Sequence, residues 1–208
     1  MIIVHHLQNS RSQRILWLLE ELELPSDVRR YERDPKTMLA PPELRRVHPL
    51  GKAPMIEDEG RVVAETGAIG EYLVEKAGGR LGPPPKRDDV LRYRHFLHYA
   101  EGSMMPPLLA LLVVGRLGVL GRPARAPIQR MLDTHLDWLE TELADRAWFA
   151  GDDFTAADIM MSFPLEASRA RGGLDEGRPN LMDWLERIHA RPAYGEALAR
   201  GGDYAFAR

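Results

Sequence analysis

Val4-His5-His6-Leu7-Gln8-Asn9-Ser10-Arg11-Ser12-Gln13-Arg14 carries the chain from an apolar run into a helical one. Upstream, Ile2, Ile3 and Val4 are β-branched, as a buried strand prefers, so residues 1–4 predict a strand. Downstream, Ile15, Leu18, Leu19 and Leu22 recur at helical spacing with Glu20, Glu21 and Glu23 on the wet side, and Pro25 ends the helix. A strand that feeds straight into a helix leaves backbone N–H groups pointing outward at the joint. Their partial positive charge favours a bound anion. Ser10 stands there with two readings: an N-cap whose box Gln13 completes, or a hydroxyl that meets a ligand.

Working outward, residues 28–31 read as a second strand and close a βαβ unit of about 30 residues. Such crossovers are right-handed and give parallel pairing. Residues 34–42, with Pro35, Pro41 and Pro42, read as an exposed loop, and residues 43–47 as a short helix. The run from His48 to Asp58 is a turn leading into a strand, with residues 61–64 as its hairpin partner across Glu59-Gly60. A helix follows over residues 67–76, with Ile69, Tyr72 and Leu73 as its apolar face.

Gly78-Gly79 and Gly82-Pro83-Pro84-Pro85 mark the clearest boundary in the chain. Before it the order is β-α-β-α-β-β-α; after it only helices are expected. The division is therefore a small α/β domain over 1–77, a linker over 78–86 and an all-helical domain over 87–208. In the second part a long helix from residue 86 should bend or break at Pro106-Pro107. Residues 115–127 read as a Gly/Arg/Pro connection. Ile128, Met131, Leu132, His135, Leu136, Leu139 and Leu143 then form one helical stripe. Phe154-Thr155-Ala156-Ala157-Asp158-Ile159 carries a capping box, Thr155 with Asp158, and a hydrophobic staple, Phe154 with Ile159. Two last helices are expected over 181–190 and 193–199.

Composition narrows the function classes. The 208 residues are 44% hydrophobic and 28% charged, ordinary values for a globular protein. A net charge of −3 offers no basic field for nucleic acid. The absence of cysteine removes disulfides, thiolate metal ligands and a protein thiol nucleophile together. The N-terminus lacks a basic segment ahead of an apolar core, and no run of roughly 18 apolar residues that would span a bilayer is expected. The expectation is a soluble cytoplasmic protein with neither membrane nor nucleic acid as partner.

A small α/β domain followed by an all-helical one, together with three motifs in order, resembles the glutathione S-transferase family along nearly the whole chain. The motifs are Ser10-Arg11-Ser12-Gln13-Arg14 after the first strand, Pro49-Leu50-Gly51-Lys52-Ala53-Pro54, and Glu65-Thr66-Gly67-Ala68-Ile69. The Thr155–Asp158 box and the ending Arg191-Pro192-Ala193-Tyr194 are family-like as well. A serine at the end of the first strand is theta-like, where other classes use tyrosine. The resemblance implies an α+β protein: an N-terminal thioredoxin-like α/β domain that holds glutathione, and a C-terminal all-α domain that helps hold an electrophile. It implies that Ser10 hydrogen-bonds the glutathione sulfur, with Asn9 and Ser12 as competing or sharing donors. Ala53 would pair its backbone with the cysteinyl moiety ahead of a cis Pro54. Glu65 and Thr66 would grip the γ-glutamyl end, and Lys52 would lie near the glycyl carboxylate. Glu101 matches, loosely, an acid that reaches the γ-glutamyl amine across a dimer interface. Threonine replaces the family's commoner serine at Thr66 and keeps the hydroxyl.

Elementary energetics agree with the role of Ser10. A thiol with a pKa of about 8.5 is only a few per cent thiolate at neutral pH. Lowering that value by about two units takes roughly 2.7 kcal/mol of differential stabilisation. One hydrogen bond to a charged sulfur contributes about 1.5–3 kcal/mol, and a helix N-terminus adds roughly 0.3–1 kcal/mol. A hydroxyl at a helix start can therefore supply the shift with no general base, and no histidine is clearly placed to act as one. Thr66 stands at an N-cap position, where its hydroxyl and the following N–H groups can hold a carboxylate, and Glu65 can meet an ammonium.

Other candidates are weaker. His95, His98 and Glu101 share a helix face at a spacing that can bind metal, but packing at a helix seam is the commoner use, and no metal site is assigned. Met104, Met105 and Leu108 can line an electrophile pocket or form core. Tyr204 and Phe206 in the tail can close over that pocket or pack. The expectation is thus a dimeric glutathione transferase with glutathione as cosubstrate and no other cofactor, acting on a hydrophobic electrophile. Its rivals are a glutathione-dependent peroxidase or disulfide reductase on the same site, and a non-catalytic binding protein. The lack of cysteine opposes the thioltransferase branch, and retention of Lys52, Glu65 and Thr66 opposes a purely structural copy.

Overall fold

The computed structural model describes residues 1–207. They form two compact units, residues 1–82 with 189–207 and residues 83–188. The first unit runs β1 (Ile2–Leu7), α1 (Ser12–Glu21), β2 (Ser26–Tyr31), α2 (Leu44–Val47), β3 (Met55–Asp58), β4 (Arg61–Ala64) and α3 (Thr66–Lys76), and takes back the last helix, α9 (Pro192–Gly201). Its sheet has the order β2-β1-β3-β4, with β1 parallel to β2 and antiparallel to β3, and β3 antiparallel to β4.

β1 extends to Leu7, beyond the expected end at residue 4. The extension carries two buried histidines that the apolar pattern does not anticipate. A central strand paired on both sides can bury such residues only where partners wait across the sheet. Glu57 on β3 lies 2.7 Å from His5 Nε2, and the Tyr31 hydroxyl on β2 lies 2.9 Å from Nδ1. α1 is buried over most of its length, Ser12, Gln13 and Arg14 as well as Ile15, Leu16, Trp17, Leu18 and Leu19, because it packs on β1, α3 and α9.

The place of α9 corrects the expected domain division, in which residues 87–208 form one helical domain. Trp17 meets Tyr194 edge-on at 5.2 Å, and Arg191 grips Glu21 with two bonds of 2.5 and 2.8 Å. Arg200 pairs with Glu20 and donates to the Ser26 carbonyl at 2.6 Å. Both the aromatic contact and the paired charges draw the C-terminal helix onto α1.

The second unit comprises α4 (Arg87–Tyr99), a π-helical turn over Ala100–Met104, α5 (Met105–Arg116), a 3-10 turn over Gly118–Gly121, α6 (Arg122–Glu142), α7 (Ala156–Arg171) and α8 (Pro179–His189), the last of which ends at the unit boundary. The irregularity expected at Pro106-Pro107 falls one turn earlier, in the π-helical segment. Pro106 and Pro107 lie in the first turn of α5, directly after that segment. The connection expected over 115–127 is shorter, because α6 already starts at Arg122 and contains Pro127. Pro123 suits a first turn, and Pro127 removes only one further backbone bond. The run 87–116 is also long and apolar enough to cross a bilayer, against expectation. Leu97, Met104, Met105, Leu108 and Leu111 of this run are buried, where α4 packs on α7 and α5 on α6, while Leu91, Leu109 and Val113 are exposed.

Candidate functional site

Sheet register gathers three of the motifs at one end of the first unit. Leu7 ends β1 opposite Tyr31, His5 is opposite Met55, and Met55 is opposite Ala64. The turn after β1, the residues before β3 and those after β4 therefore share that end. Ser10, Lys52-Ala53-Pro54 and Glu65-Thr66 lie on them.

In the first segment Asn9 adopts a left-handed φ of 52°, a conformation asparagine tolerates better than most residues. Arg33 fixes this turn by donating to the carbonyls of Gln8 at 3.1 Å and Asn9 at 3.3 Å. The Asn9 carboxamide oxygen accepts the Ala205 N–H at 2.7 Å, so this side chain ties down the C-terminal tail. Ser10 follows, 7% exposed. Its hydroxyl accepts the first helical N–H, from Ser12, at 3.2 Å, and lies 2.7 Å from Ser12 Oγ. Ser10 thus lies one residue before the N-cap, Arg11, which makes no side-chain cap bond; its hydroxyl takes a helical N–H without being the expected N-cap, and Gln13 does not complete a box. That side chain is buried with both polar atoms unpartnered.

Ser12 is fully buried, so any share it takes in a ligand contact runs through Ser10. Its Oγ accepts the Leu7 N–H at 3.1 Å and lies 2.9 Å from His6 Nδ1 and 3.2 Å from the Leu7 carbonyl. Burial, helped by the Arg30 guanidinium, depresses the pKa of His6 to about 4, so the ring is neutral at physiological pH. Burial also lowers the pKa of His5, with Glu57 pulling the other way.

In the second segment Gly51 has a φ of 56°, Lys52 is exposed, and the Ala53–Pro54 peptide is cis. Pro54 is buried and Ala53 half-buried. In the third, Glu65 is exposed with φ 72° and ψ 124°, a strained conformation for a residue with a side chain. Thr66 is buried at the start of α3. One end of the sheet therefore offers a hydroxyl at one helix start, a carboxylate and a hydroxyl at another, and a lysine. That set is complementary to a ligand carrying an ammonium, carboxylates and an anionic or acidic centre between them.

The candidates for an electrophile pocket separate. Met104, Met105 and Leu108 are 0%, 4% and 0% exposed, which makes them core of the second unit rather than pocket lining. Side chains so enclosed by neighbouring helices present no surface to a ligand. Tyr204 and Phe206 belong to the first unit, where their rings meet edge-on at 5.4 Å. Glu101 lies in the π-helical turn of the second unit. There an open cavity of about 440 Å³ is lined by His95, His98, Tyr99, Gly102 and Ser103 among others. His95 stacks on Tyr99 and meets Phe96 and Trp138 edge-on, the packing role weighed against metal binding. Among the described residues no three histidine, aspartate or glutamate side chains cluster to hold a metal.

Two residues behind the site escape the sequence reading, Arg33 and His6. Arg33 acts through its guanidinium on backbone carbonyls, which no local motif encodes. The adjacent pair His5-His6 is visible, but its meaning depends on a strand that reaches Leu7.

Comparison with known proteins adds independent findings. A model of the glutathione S-transferase N-terminal domain matches residues 10–76, and one of the glutathione S-transferase C-terminal domain matches residues 122–187. The chain is 35% identical to glutathione S-transferase 3 of Schizosaccharomyces pombe, over 93% of this chain and 85% of that protein. It is 30% identical to glutathione S-transferase 1 of Saccharomyces cerevisiae, over 98% of each. The crystal structure of a glutathione S-transferase from Actinobacillus pleuropneumoniae superposes with a TM-score of 0.88 at 33% identity, covering 100% of this chain and 96% of that one.

Proposed function

The chain belongs to the glutathione S-transferase family and is a glutathione transferase; we propose that it is of the serine-type, theta-like kind, with Ser10 stabilising the glutathione thiolate. The observation that carries this reading is the position of Ser10. Its hydroxyl stands at the start of α1 with backbone and side-chain donors behind it, beside the Ala53–Pro54 and Glu65-Thr66 segments. Thr66 and the first N–H groups of α3 hold the γ-glutamyl carboxylate, Glu65 its ammonium, the Ala53 backbone the cysteinyl unit, and Lys52 the glycyl carboxylate. The bound thiol loses its proton to solvent. The sulfur then forms a bond to an electrophilic carbon, and the leaving group departs with the electron pair. Glutathione brings the nucleophile, while the protein supplies electrostatics and position. We assign a hydrophobic electrophile, a homodimer and a cytoplasmic location on the same family basis. Exposed Leu109, Val113, Leu117 and Leu120 along α5 and the turn after it support an apolar partner.

The test is turnover with glutathione and 1-chloro-2,4-dinitrobenzene beside cumene hydroperoxide. Conjugation of the aryl chloride supports the transferase reading, and activity confined to the peroxide replaces it with a peroxidase. A second measurement separates binding from fold. Glu65→Gly should weaken glutathione binding tenfold or more in a calorimetric titration. The same change should hold or raise the melting temperature, because glycine relieves a backbone conformation that costs roughly 1–3 kcal/mol.

A further inference from the structure

We propose that Ser12 and His6 are positioning residues for the transferase reaction: a buried relay, His6 Nδ1 to Ser12 Oγ to Ser10 Oγ, directs the Ser10 proton outward onto the glutathione sulfur. The proposal rests on the assignment of Ser10 as the thiolate donor, and it follows from counting protons and lone pairs.

A serine hydroxyl has one proton to give and two lone pairs to fill. When Ser10 donates to a thiolate, its Oγ has two lone pairs left. One takes the Ser12 N–H at 3.2 Å. The other faces Ser12 Oγ at 2.7 Å, a distance at which one oxygen must donate to the other. With the Ser10 proton on sulfur, that donor is Ser12. Ser12 has then spent its single proton and must accept at both its remaining positions. The Leu7 N–H fills one at 3.1 Å, and His6 Nδ1 at 2.9 Å fills the other, so His6 carries its proton on Nδ1. The Leu7 carbonyl, 3.2 Å away, is the weaker competitor for the Ser12 proton. Ser10, Ser12 and the Leu7 N–H are all satisfied in this arrangement, and in no other with Ser10 turned outward; its cost is the bond from the neutral His6 ring to the Gly201 backbone, which the ring gives up.

Burial explains why the relay holds its direction. Ser12 is fully buried and His6 nearly so, which keeps water from substituting for either member. The ring is neutral, held so by desolvation and by Arg30, and therefore has one proton to place. A hydrogen bond with the Gly201 backbone competes for it. Negative charge on sulfur selects the form with the proton on Nδ1, because that form alone turns all three donors toward the anion.

The experiment measures thiolate absorbance of the glutathione complex against pH for the full-length protein and five variants. Ser12→Ala should raise the pKa of the bound thiol by about one unit, leaving the glutathione dissociation constant within about twofold. Turnover at pH 6.5 should then fall about tenfold and recover by pH 9. His6→Leu should do the same, whereas Ser12→Thr and His6→Asn, which keep a donor at each place, should hold the low pKa. A merely structural role would lower the melting temperature of Ser12→Ala without moving the pKa of the thiol in the protein that stays folded. Ser10→Ala separates the two layers. If it shifts the thiol pKa and neither Ser12→Ala nor His6→Leu does, the relay is overturned and the role of Ser10 stands. If Ser10→Ala itself leaves the pKa unmoved, the assignment of Ser10 fails and takes the relay with it.

Discussion

Ser10→Ala is expected to slow glutathione conjugation at pH 6.5 by about ten- to a hundredfold, the equivalent of losing one hydrogen bond to a charged sulfur of about 1.5–3 kcal/mol. The loss should appear in kcat and not in glutathione affinity, because the hydroxyl meets only the sulfur while the rest of the tripeptide is held elsewhere. The pH profile gives the decisive sign. A donor at the sulfur favours the thiolate, so it lowers the pKa of the bound thiol, and its removal moves that pKa upward. Below the shifted value the variant is starved of thiolate; above it the two proteins carry the same nucleophile and the rates converge. A rate deficit that persists unchanged to pH 9.5 would mean that Ser10 positions the substrate without ionising it. Ser10→Thr keeps the hydroxyl and should retain most of the activity.

The elements that are legible in the sequence are those whose determinants lie within a few residues of one another. β4 occupies 61–64 as its hairpin pattern predicts, and the Thr155–Asp158 box forms with both of its bonds. The strand-to-helix joint at Ser10 is local too. What escapes depends on residues far along the chain. His5 and His6 belong to β1 because Glu57, Tyr31 and Ser12 satisfy them, and a pattern read for apolar residues ends the strand at Val4. α9 leaves the helical domain because Arg191 and Arg200 find Glu21 and Glu20 about 170 to 180 positions earlier. Nothing in the spacing of residues 192–201 announces that pairing. The motifs named the site segments, but the register of β1, β3 and β4 is what brings them to one end of the sheet. Met104, Met105 and Leu108 show an ambiguity of another kind: flexible or aliphatic side chains suit a ligand pocket and a packed core equally, and only burial distinguishes the two readings left open by the sequence.

Asp158→Ala is expected to be the most damaging single change to the second unit. The carboxylate is fully buried and spends both oxygens on the backbone: Oδ1 accepts the Phe149 N–H at 2.9 Å, and Oδ2 accepts the Thr155 N–H at 2.9 Å and its hydroxyl at 3.0 Å. It therefore joins the loop before α7 to the first turn of that helix. Alanine leaves two buried N–H groups without an acceptor, each costing about 1–3 kcal/mol, and removes the cap besides. A total near 3–5 kcal/mol is a large part of the roughly 5–15 kcal/mol that holds a domain together. The melting temperature should drop by about 10 °C, or the protein should fail to accumulate in soluble form. Asp158→Asn keeps one acceptor and should fall between the two. Burial outweighs the hydrogen bonds and raises the pKa of Asp158 from 3.8 to about 6. The folded state therefore binds this proton more tightly than the unfolded chain, and the contribution of the group to stability declines as pH rises from about 4 to about 6, then levels off. Asparagine has no such proton, so the stability gap between the native protein and Asp158→Asn should narrow across that window. Urea denaturation at pH 4.5 and pH 7 measures it. A gap that widens with pH would show that the hydrogen bonds, and not desolvation, govern this carboxylate.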